Sequence, residues 1–356
     1  ATCGRRLSSS GPPRGGPRCA RPRWLLSTMN GPLYEKLIAG GSNAAAVLKH
    51  RERTPDGSRL DGEEDVLLSK GTLRHAVRTL RRHLARLGVR RSSRVAIVFT
   101  NQVEYVVSFL AVVGCGACAL PFNPRFTYKE FWLHFEDSGA RLLLVEDPVL
   151  QYQDTALRAA SELGMSTACV RDVCQLAVQL YGDLGSGAEG DLDAGLVTRE
   201  DTAMVLYTSG TTAKPKAVAL SQGNVCASME NIVATYGLGP ADRTLVVMPL
   251  FHVHGLMMTL SALAADGGLV FPRGGAFDFR TFWQDACKFR ISWFTAVPSM
   301  HHMLVTRAAQ DYAPLRASGL APPLRFIRSC SAALAPDLLA KIQTAFGAPV
   351  VEAYAM

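Results

Sequence analysis

From Gly71 onward the chain alternates between apolar residues at helical spacing and short unbroken apolar runs. GTLRHAVRTLRRHLARLGV sets Leu73, Val77, Leu80, Leu84 and Leu87 three or four apart with arginines between them, and Gly88 follows as a stop signal. That pattern predicts an amphipathic helix resting on a sheet. RVAIVF predicts a buried strand, NQVEYVVSFLAVVGCG a helix, and ACALPFNP a second strand ending in a proline turn. TYKEFWLHFEDSGA predicts a helix closed by Ser138 and Gly139, and RLLLVE a third strand. Strand and helix alternate, so a parallel α/β sheet is the economical fold.

The segment YGDLGSGAEGDLDAGLVTRED, from Tyr181 to Asp201, is glycine-rich and acidic with little apolar periodicity, and predicts a boundary. Beyond it AMVLYT predicts a strand, NVCASMENIVATYGL a helix, RTLVVM a strand, HGLMMTLSALAADGG a helix and LVF a strand. The expected organisation is a leader over residues 1–30, a first α/β lobe over 31–197 and a second over 198–356. No repeat of 20 to 50 residues is apparent.

Composition sharpens this picture at three points. With 356 residues and 48% hydrophobic content, the chain can bury a large core. The net charge of +8 shrinks to +2 once the six arginines of residues 1–28, a stretch without acidic residues, are set aside, so nucleic acid is not implied as a partner. That leader, rich in Arg, Ser, Gly and Pro, resembles an organelle transit segment or untranslated sequence read through before Met29. The most membrane-like run, YVVSFLAVVGCGACALPF, is interrupted by glycine and meets Pro121, which predicts a buried helix leading into a buried strand. Cys115 and Cys118 lie in it among small apolar residues and read as buried thiols rather than a redox or zinc pair, and no metal ligand set is predicted.

The candidate chemistry centres on TSGTTAKPKAVAL, Thr208 to Leu220. Backbone N–H groups, hydroxyls and ammonium groups on a loop between a strand and a helix can hold phosphate oxygens. Thr208, Ser209, Thr211 and Thr212 supply hydroxyls, Gly210 permits close approach, and Lys214 and Lys216 supply charge. It is not the Walker loop, which needs a second glycine followed by Lys and Ser or Thr. On composition alone an ordinary polar loop carrying lysines fits as well.

The whole stretch YTSGTTAKPKAV resembles the signature loop of the adenylate-forming superfamily of acyl-CoA synthetases, coumarate-CoA ligases, luciferases and peptide-synthetase adenylation domains. The family usually has glycine where this chain has Ala213, and often where it has Ala217. The resemblance extends over about residues 65–356. RVAIVFTNQVEYVVSFLAVVGCGACALPFNP is similar to the family's early block, including Asn101 and Glu104. MPLFHVHGL is similar to its aromatic-histidine motif, SCSAALAP to its small-residue strand and turn, and VEAYAM to the start of the motif whose tyrosine stacks on adenine.

The resemblance implies the large N-terminal domain of these enzymes, two stacked α/β lobes. It implies ATP, Mg²⁺ and coenzyme A as cofactors and a small carboxylic acid as partner. Thr208, Ser209, Gly210, Thr211, Thr212, Lys214 and Lys216 would bind the ATP phosphates, with Lys216, Thr211 and His252 as the catalytic set. His252 would stand between ATP and the carboxylate. Ser331, Ala332 and Ala333 would line the seam between acyl group and adenine, and Tyr354 would stack. From the residues alone His252 also fits a core histidine at a helix start, and Tyr354 a buried strand aromatic.

Among branches of the family, RFIRSCSAALAP, APVVEAYAM, LFHVHGL and WFTAVPSMHHML are most similar to oxalate-CoA ligases and the peroxisomal CoA synthetase-like group. A small dianion needs hydrogen-bond donors where a fatty acid needs an apolar tunnel. His252, His254, Ser299, His301, Ser329 and Ser331 are candidate donors, and Arg328 a candidate charge. His301 and His302 also fit solvent-facing helix residues, and Arg328 an ordinary ion pair. A medium-chain fatty acid or a coumarate-type acid is the alternative substrate, and a non-catalytic nucleotide- or acyl-binding module the alternative of another class. In the family the tyrosine motif runs on to a Thr-Glu pair, a ribose-binding Asp and a small domain bearing the adenylation lysine. The sequence ends at Met356 and begins with Ala, so the expectation is a fragment that alone binds ATP poorly. The family implies a cytoplasmic or peroxisomal location, the leader an organelle.

Overall fold

A computed structural model describes residues 33, 37, 47–49, 66–146, 153–171, 178–181, 197–208 and 216–354. The leader and most of the glycine-rich boundary lie outside the described residues. The strands are β1 Val47–Lys49, β2 Val66–Leu68, β3 Arg94–Val98, β4 Cys118–Pro121, β5 Leu142–Val145, β6 Ser166–Val170, β7 Val178–Tyr181, β8 Thr202–Thr208, β9 Lys216–Ser221, β10 Arg243–Leu245, β11 Gly268–Phe271, β12 Trp293–Ala296, β13 Phe326–Cys330 and β14 Val350–Ala353. The helices are α1 Lys70–Arg86, α2 Val103–Gly114, α3 Tyr128–Ser138, α4 Gln153–Glu162, α5 Gln222–Tyr236, α6 Val253–Ala264, α7 Phe282–Lys288, α8 Pro298–Thr306, α9 Ala308–Asp311, α10 Ala313–Ala317 and α11 Pro336–Phe346.

These strands form two seven-stranded sheets, in the orders β7-β6-β5-β3-β4-β8-β9 and β14-β13-β12-β10-β11-β1-β2. Within each sheet the inner pairings are parallel, as the alternation of strand and helix predicts; the edge strands β7, β9 and β2 run antiparallel. The sheets do not divide the chain at residue 197. β8 and β9 join the first sheet, while β1 and β2 complete the second by pairing β1 with β11.

Side-chain alternation along the strands builds the layers. In β3, Val95 and Ile97 face a core shared with α1, α2, α5 and α6 and with Leu269, Phe271, Trp293 and Phe326 of the second sheet. Ala96 and Val98 face the opposite way, toward α3 and α4. On the far side of the second sheet, Val270, Phe294 and Ile327 pack with α7, α8 and α11. All twelve residues of α2 are buried, because the helix lies between the sheets. That placement explains the membrane-like run of the sequence, and among the described residues no helix is long and apolar enough to cross a membrane. Burial pushes the Cys118 thiol, on the α3 and α4 side of the sheet, up to about 11 and raises that of Cys115 at the end of α2, so both stay protonated near neutrality.

Local signals set the helix ends. Thr127 and Glu130 form a capping box at the start of α3, and Gly139 takes the left-handed conformation at its close. Ser221 and Asn224 form the equivalent box at the start of α5.

One residue ties the two sheets where their carboxyl ends meet. Asn101, just past β3 and 4% exposed, donates from Nδ2 to the carbonyls of Val246 (3.1 Å) and Met248 (2.8 Å). Its Oδ1 accepts from the Leu250 N–H at 2.9 Å, and its own N–H donates to the Gly275 carbonyl at 2.9 Å. The segment after β10 is thereby fixed. Gly255 lets α6 close onto it, since a Cβ there would stand 2.2 Å from the Pro249 carbonyl oxygen. Replacing Asn101 with Ala leaves three buried backbone groups without partners, each costing about 1–3 kcal/mol less any relaxation. We expect the Asn101→Ala variant to lose roughly 2–4 kcal/mol of unfolding free energy in urea titrations, and a loss below about 1 kcal/mol would take that role from Asn101.

Candidate active site

Of the described residues singled out from the sequence, Thr208, His252, Ser331 and Tyr354 lie at or beyond the carboxyl ends of strands, the usual place for ligands in open α/β sheets. Thr208 ends β8 and pairs with Lys216, which opens β9; both are exposed, and the Thr208 hydroxyl donates to the Lys216 carbonyl at 3.4 Å. Ser209, Gly210, Thr211, Thr212 and Lys214 lie outside the described residues, as does Ala213. The loop therefore joins two antiparallel strands, not a strand and a helix as expected from the sequence. After Pro215 the chain stays extended to pair with β8, and the Ser221–Asn224 box delays the helix to Gln222. That box was the available signal. Behind the loop, the Tyr207 hydroxyl donates to Asp137 at 2.9 Å, and its ring packs against His134 (4.7 Å) and Phe122 (5.8 Å).

His252 is the N-cap of α6. Its Nδ1 accepts from the His254 N–H at 3.4 Å, which places its remaining proton on Nε2, and the side chain opens to solvent. It is a neutral N–H donor at the rim, not a core residue. Desolvation by the protein around it draws its pKa below the usual imidazole value.

His254, 5% exposed, reaches two hydroxyls: Nδ1 lies 2.9 Å from Ser331 Oγ and Nε2 2.6 Å from Thr295 Oγ1. Burial, reinforced by the positive charge of Arg328, holds its pKa down to about 3. Neutral imidazole fits one hydroxyl on each side. Arg328 Nη1 donates to Thr295 Oγ1 at 3.3 Å. The assignment that uses every proton runs from Arg328 N–H to Thr295 oxygen, Thr295 O–H to Nε2, and Nδ1–H to Ser331 Oγ. The Ser331 proton is then free to donate at the exposed end.

Ser331, Ala332 and Ala333 form an exposed turn after β13, with Ser331 held at φ 73°, a costly conformation for a residue with a side chain. The turn is anchored by Glu352 of β14, whose Oε1 accepts from the Leu334 N–H at 2.8 Å. Two residues further on, Tyr354 is 86% exposed, a free aromatic face rather than a buried strand aromatic.

Three expected donors sit apart from this group. Ser299 lies exposed at the start of α8. Ser329 follows Arg328 on β13, so alternation turns it to the opposite face; its hydroxyl is buried and without a partner. His301 is fully buried beside Phe294 on that face, not solvent-facing; its Nε2 donates to the Arg328 carbonyl at 3.2 Å, its Nδ1 has no partner, and burial takes its pKa down to about 4. His302 alone of that pair is exposed. Thr295 and Tyr236 were not foreseen, although a threonine in the apolar strand run WFTAV was a visible signal. Among the described residues, no three His, Cys, Asp or Glu side chains gather in a way that would hold a metal ion.

Comparison with known proteins gives the chain its family. The chain is 42% identical over 277 residues to an oxalate–CoA ligase of Arabidopsis thaliana, covering 76% of this chain and 51% of the plant protein. It is 37% identical over 319 residues to a sulfoacetate–CoA ligase of Cupriavidus necator, covering 88% of this chain and 59% of the bacterial one. The chain thus spans about half the length of such relatives. Among solved structures, the N-terminal domain of FACL13 from Mycobacterium tuberculosis shares the fold, with a TM-score of 0.72 at 24% identity over 92% of this chain and 76% of that one. The family model of the AMP-binding enzymes matches residues 47–356, and the chain belongs to that family.

Proposed function

We propose that this chain carries the ATP- and acid-binding half of an AMP-forming acid–CoA ligase, with oxalate the favoured acid. The supporting observation is the 2.9 Å contact between His254 Nδ1 and Ser331 Oγ, which joins the histidine motif to the small-residue turn and leaves the Ser331 hydroxyl proton free at the exposed end. An apolar tunnel for a fatty or coumarate-type acid would not need a buried imidazole between two hydroxyls. Relatives named for oxalate and sulfoacetate, both two-carbon acids with two anionic groups, favour the same choice.

In the first step a carboxylate oxygen attacks the α-phosphorus of ATP, and the bond to pyrophosphate breaks. In the second a thiolate of coenzyme A attacks the acyl carbon and AMP leaves. Both partners of the first step are anions, so the protein's contribution is neutralising charge and holding the reactants in line. Lys216 supplies charge and the threonines of the loop supply hydroxyls. The Nε2–H of His252 and the Ser331 hydroxyl donate to the carboxylate, and Tyr354 offers a stacking face worth about 1–3 kcal/mol to adenine. Mg²⁺, when bound, would neutralise phosphate charge.

Two measurements test this. In the full-length protein, oxalate should drive exchange of pyrophosphate into ATP, and Lys216→Ala or Thr211→Ala should cut it by about 10- to 100-fold. Octanoate or coumarate far ahead of oxalate would sink the choice of acid; failure of every acid to support exchange would favour the non-catalytic binding module. The second concerns His254. Its folded pKa of about 3 lies below the ordinary value near 6.5, so between these values the folded state binds fewer protons than the unfolded one. Its contribution to stability is complete above about pH 6.5 and is lost as pH falls toward 3. Unfolding free energy should therefore drop between pH 7.5 and 4.5, and His254→Gln should flatten that drop; an unchanged slope would mean that His254 is not held neutral.

A further inference from the structure

We propose that Arg328 is the specificity-determining counter-charge of this site, selecting an acid that carries a second anionic group over a singly charged acid of the same size. The inference rests on the ligase reading for its location, and on the following observations for its chemistry.

Arg328 sits in the middle of β13 and is 7% exposed. A guanidinium so placed is costly unless an anion accompanies it, because removing a charge from water is repaid only by a close opposite charge and satisfied donors. Among the described residues Arg328 has no carboxylate partner. It makes two hydrogen bonds, from Nε to the Tyr236 hydroxyl at 3.0 Å and from Nη1 to Thr295 Oγ1 at 3.3 Å. Both acceptors are neutral, and Nη2 makes no hydrogen bond to a described residue. The Tyr236 ring, 5.8 Å from Cζ, is at the outer limit of a useful cation–π contact and does not replace an anion.

The side chain points to the site side of the sheet. Arg328 and Thr295 are register partners on β13 and β12, and Thr295 meets His254, which meets Ser331 at the exposed turn. A continuous chain of hydrogen-bonding groups, Thr295, His254 and Ser331, thus links the guanidinium to the exposed turn. His254, linked to the cation through Thr295, is neutral near pH 7, so the positive charge in this chain of groups belongs to Arg328. Ion pairs elsewhere have their carboxylates: Arg325 with Asp242, Arg91 with Asp201 at 2.7 Å, Arg307 with Asp311 at 2.7 Å. The buried Arg328 differs from them in lacking one, and a second carboxylate or sulfonate on the substrate supplies it.

The test uses matched acids in the full-length protein: oxalate against glyoxylate, and malonate against propionate, in pyrophosphate exchange. The wild type should prefer the dianion of at least one pair, and Arg328→Met should lower that dianion-to-monoanion ratio of kcat/KM by at least about tenfold, with the loss in KM of the dianion. Arg328→Lys, which keeps the charge but not the fork, should recover part of the ratio. Equal losses for both members of each pair, as a purely structural role would give, overturn the proposal and leave the ligase reading intact. Should Arg328→Met fail to fold, the wild type decides: oxalate should raise the melting temperature well above the shift given by equimolar glyoxylate, and equal shifts overturn the proposal. Exchange with none of the acids would overturn the ligase reading, and the melting comparison alone would then decide the anion site.

Discussion

The arrangement depends on one constraint: two parallel sheets formed by different parts of the chain must bring their carboxyl ends together. Sandwiching α1, α2, α5 and α6 between them supplies most of the apolar burial, but that interaction has no direction and would tolerate sliding. Direction comes from Asn101. Its amide bonds at 2.8 to 3.1 Å to three backbone groups after β10 admit only one placement of that segment. The segment leads straight into His252 and His254, and Gly255 seats α6 against the same backbone. A bond made beside the first sheet thus fixes the histidines of the second.

Much of this was legible in the sequence where burial is uniform. The unbroken apolar runs of α2, β3, β4 and β5 read correctly because elements buried on every side carry no polar face to confuse the period. The edges were less legible. β1 and β2 have three residues each, and what defines them is the pairing of β1 with β11, a strand some 200 residues later, and of β2 with β1. β9 is largely exposed, so apolar content could not reveal it; its antiparallel pairing with β8 appears only once Ser221 is read as a cap.

The site divides in the same way. The histidine motif and the turn around Ser331 were named from pattern, yet their partner Thr295 sits in a strand whose other residues are ordinary core. Ser329 and His301 were grouped with the donors because they lie in the motifs that carry the family resemblance. Strand alternation separates Ser329 from Arg328 although they are neighbours, a consequence readable from period two alone. For His301 the sequence held no such clue: its burial depends on Phe294 and on the Arg328 carbonyl, which only folding brings to it.

Strand β14 governs the other half of the site. Glu352 accepts from the Leu334 N–H and so closes the turn in which Ser331 is held at φ 73°. Such backbone strain costs on the order of 1–3 kcal/mol and persists only where neighbours over-determine it. Here those neighbours are the Glu352 anchor on one side and the His254 imidazole on the other. Tyr354 is carried on the same strand end, two residues beyond Glu352. The position of the aromatic face and the position of the Ser331 hydroxyl are therefore set by one element. A shift of β14 along β13 would move both together while leaving His252 on its separate support at Asn101. The seam between the two supports, where acid and nucleotide would meet, is the place where small relative movements of the two halves would alter their alignment.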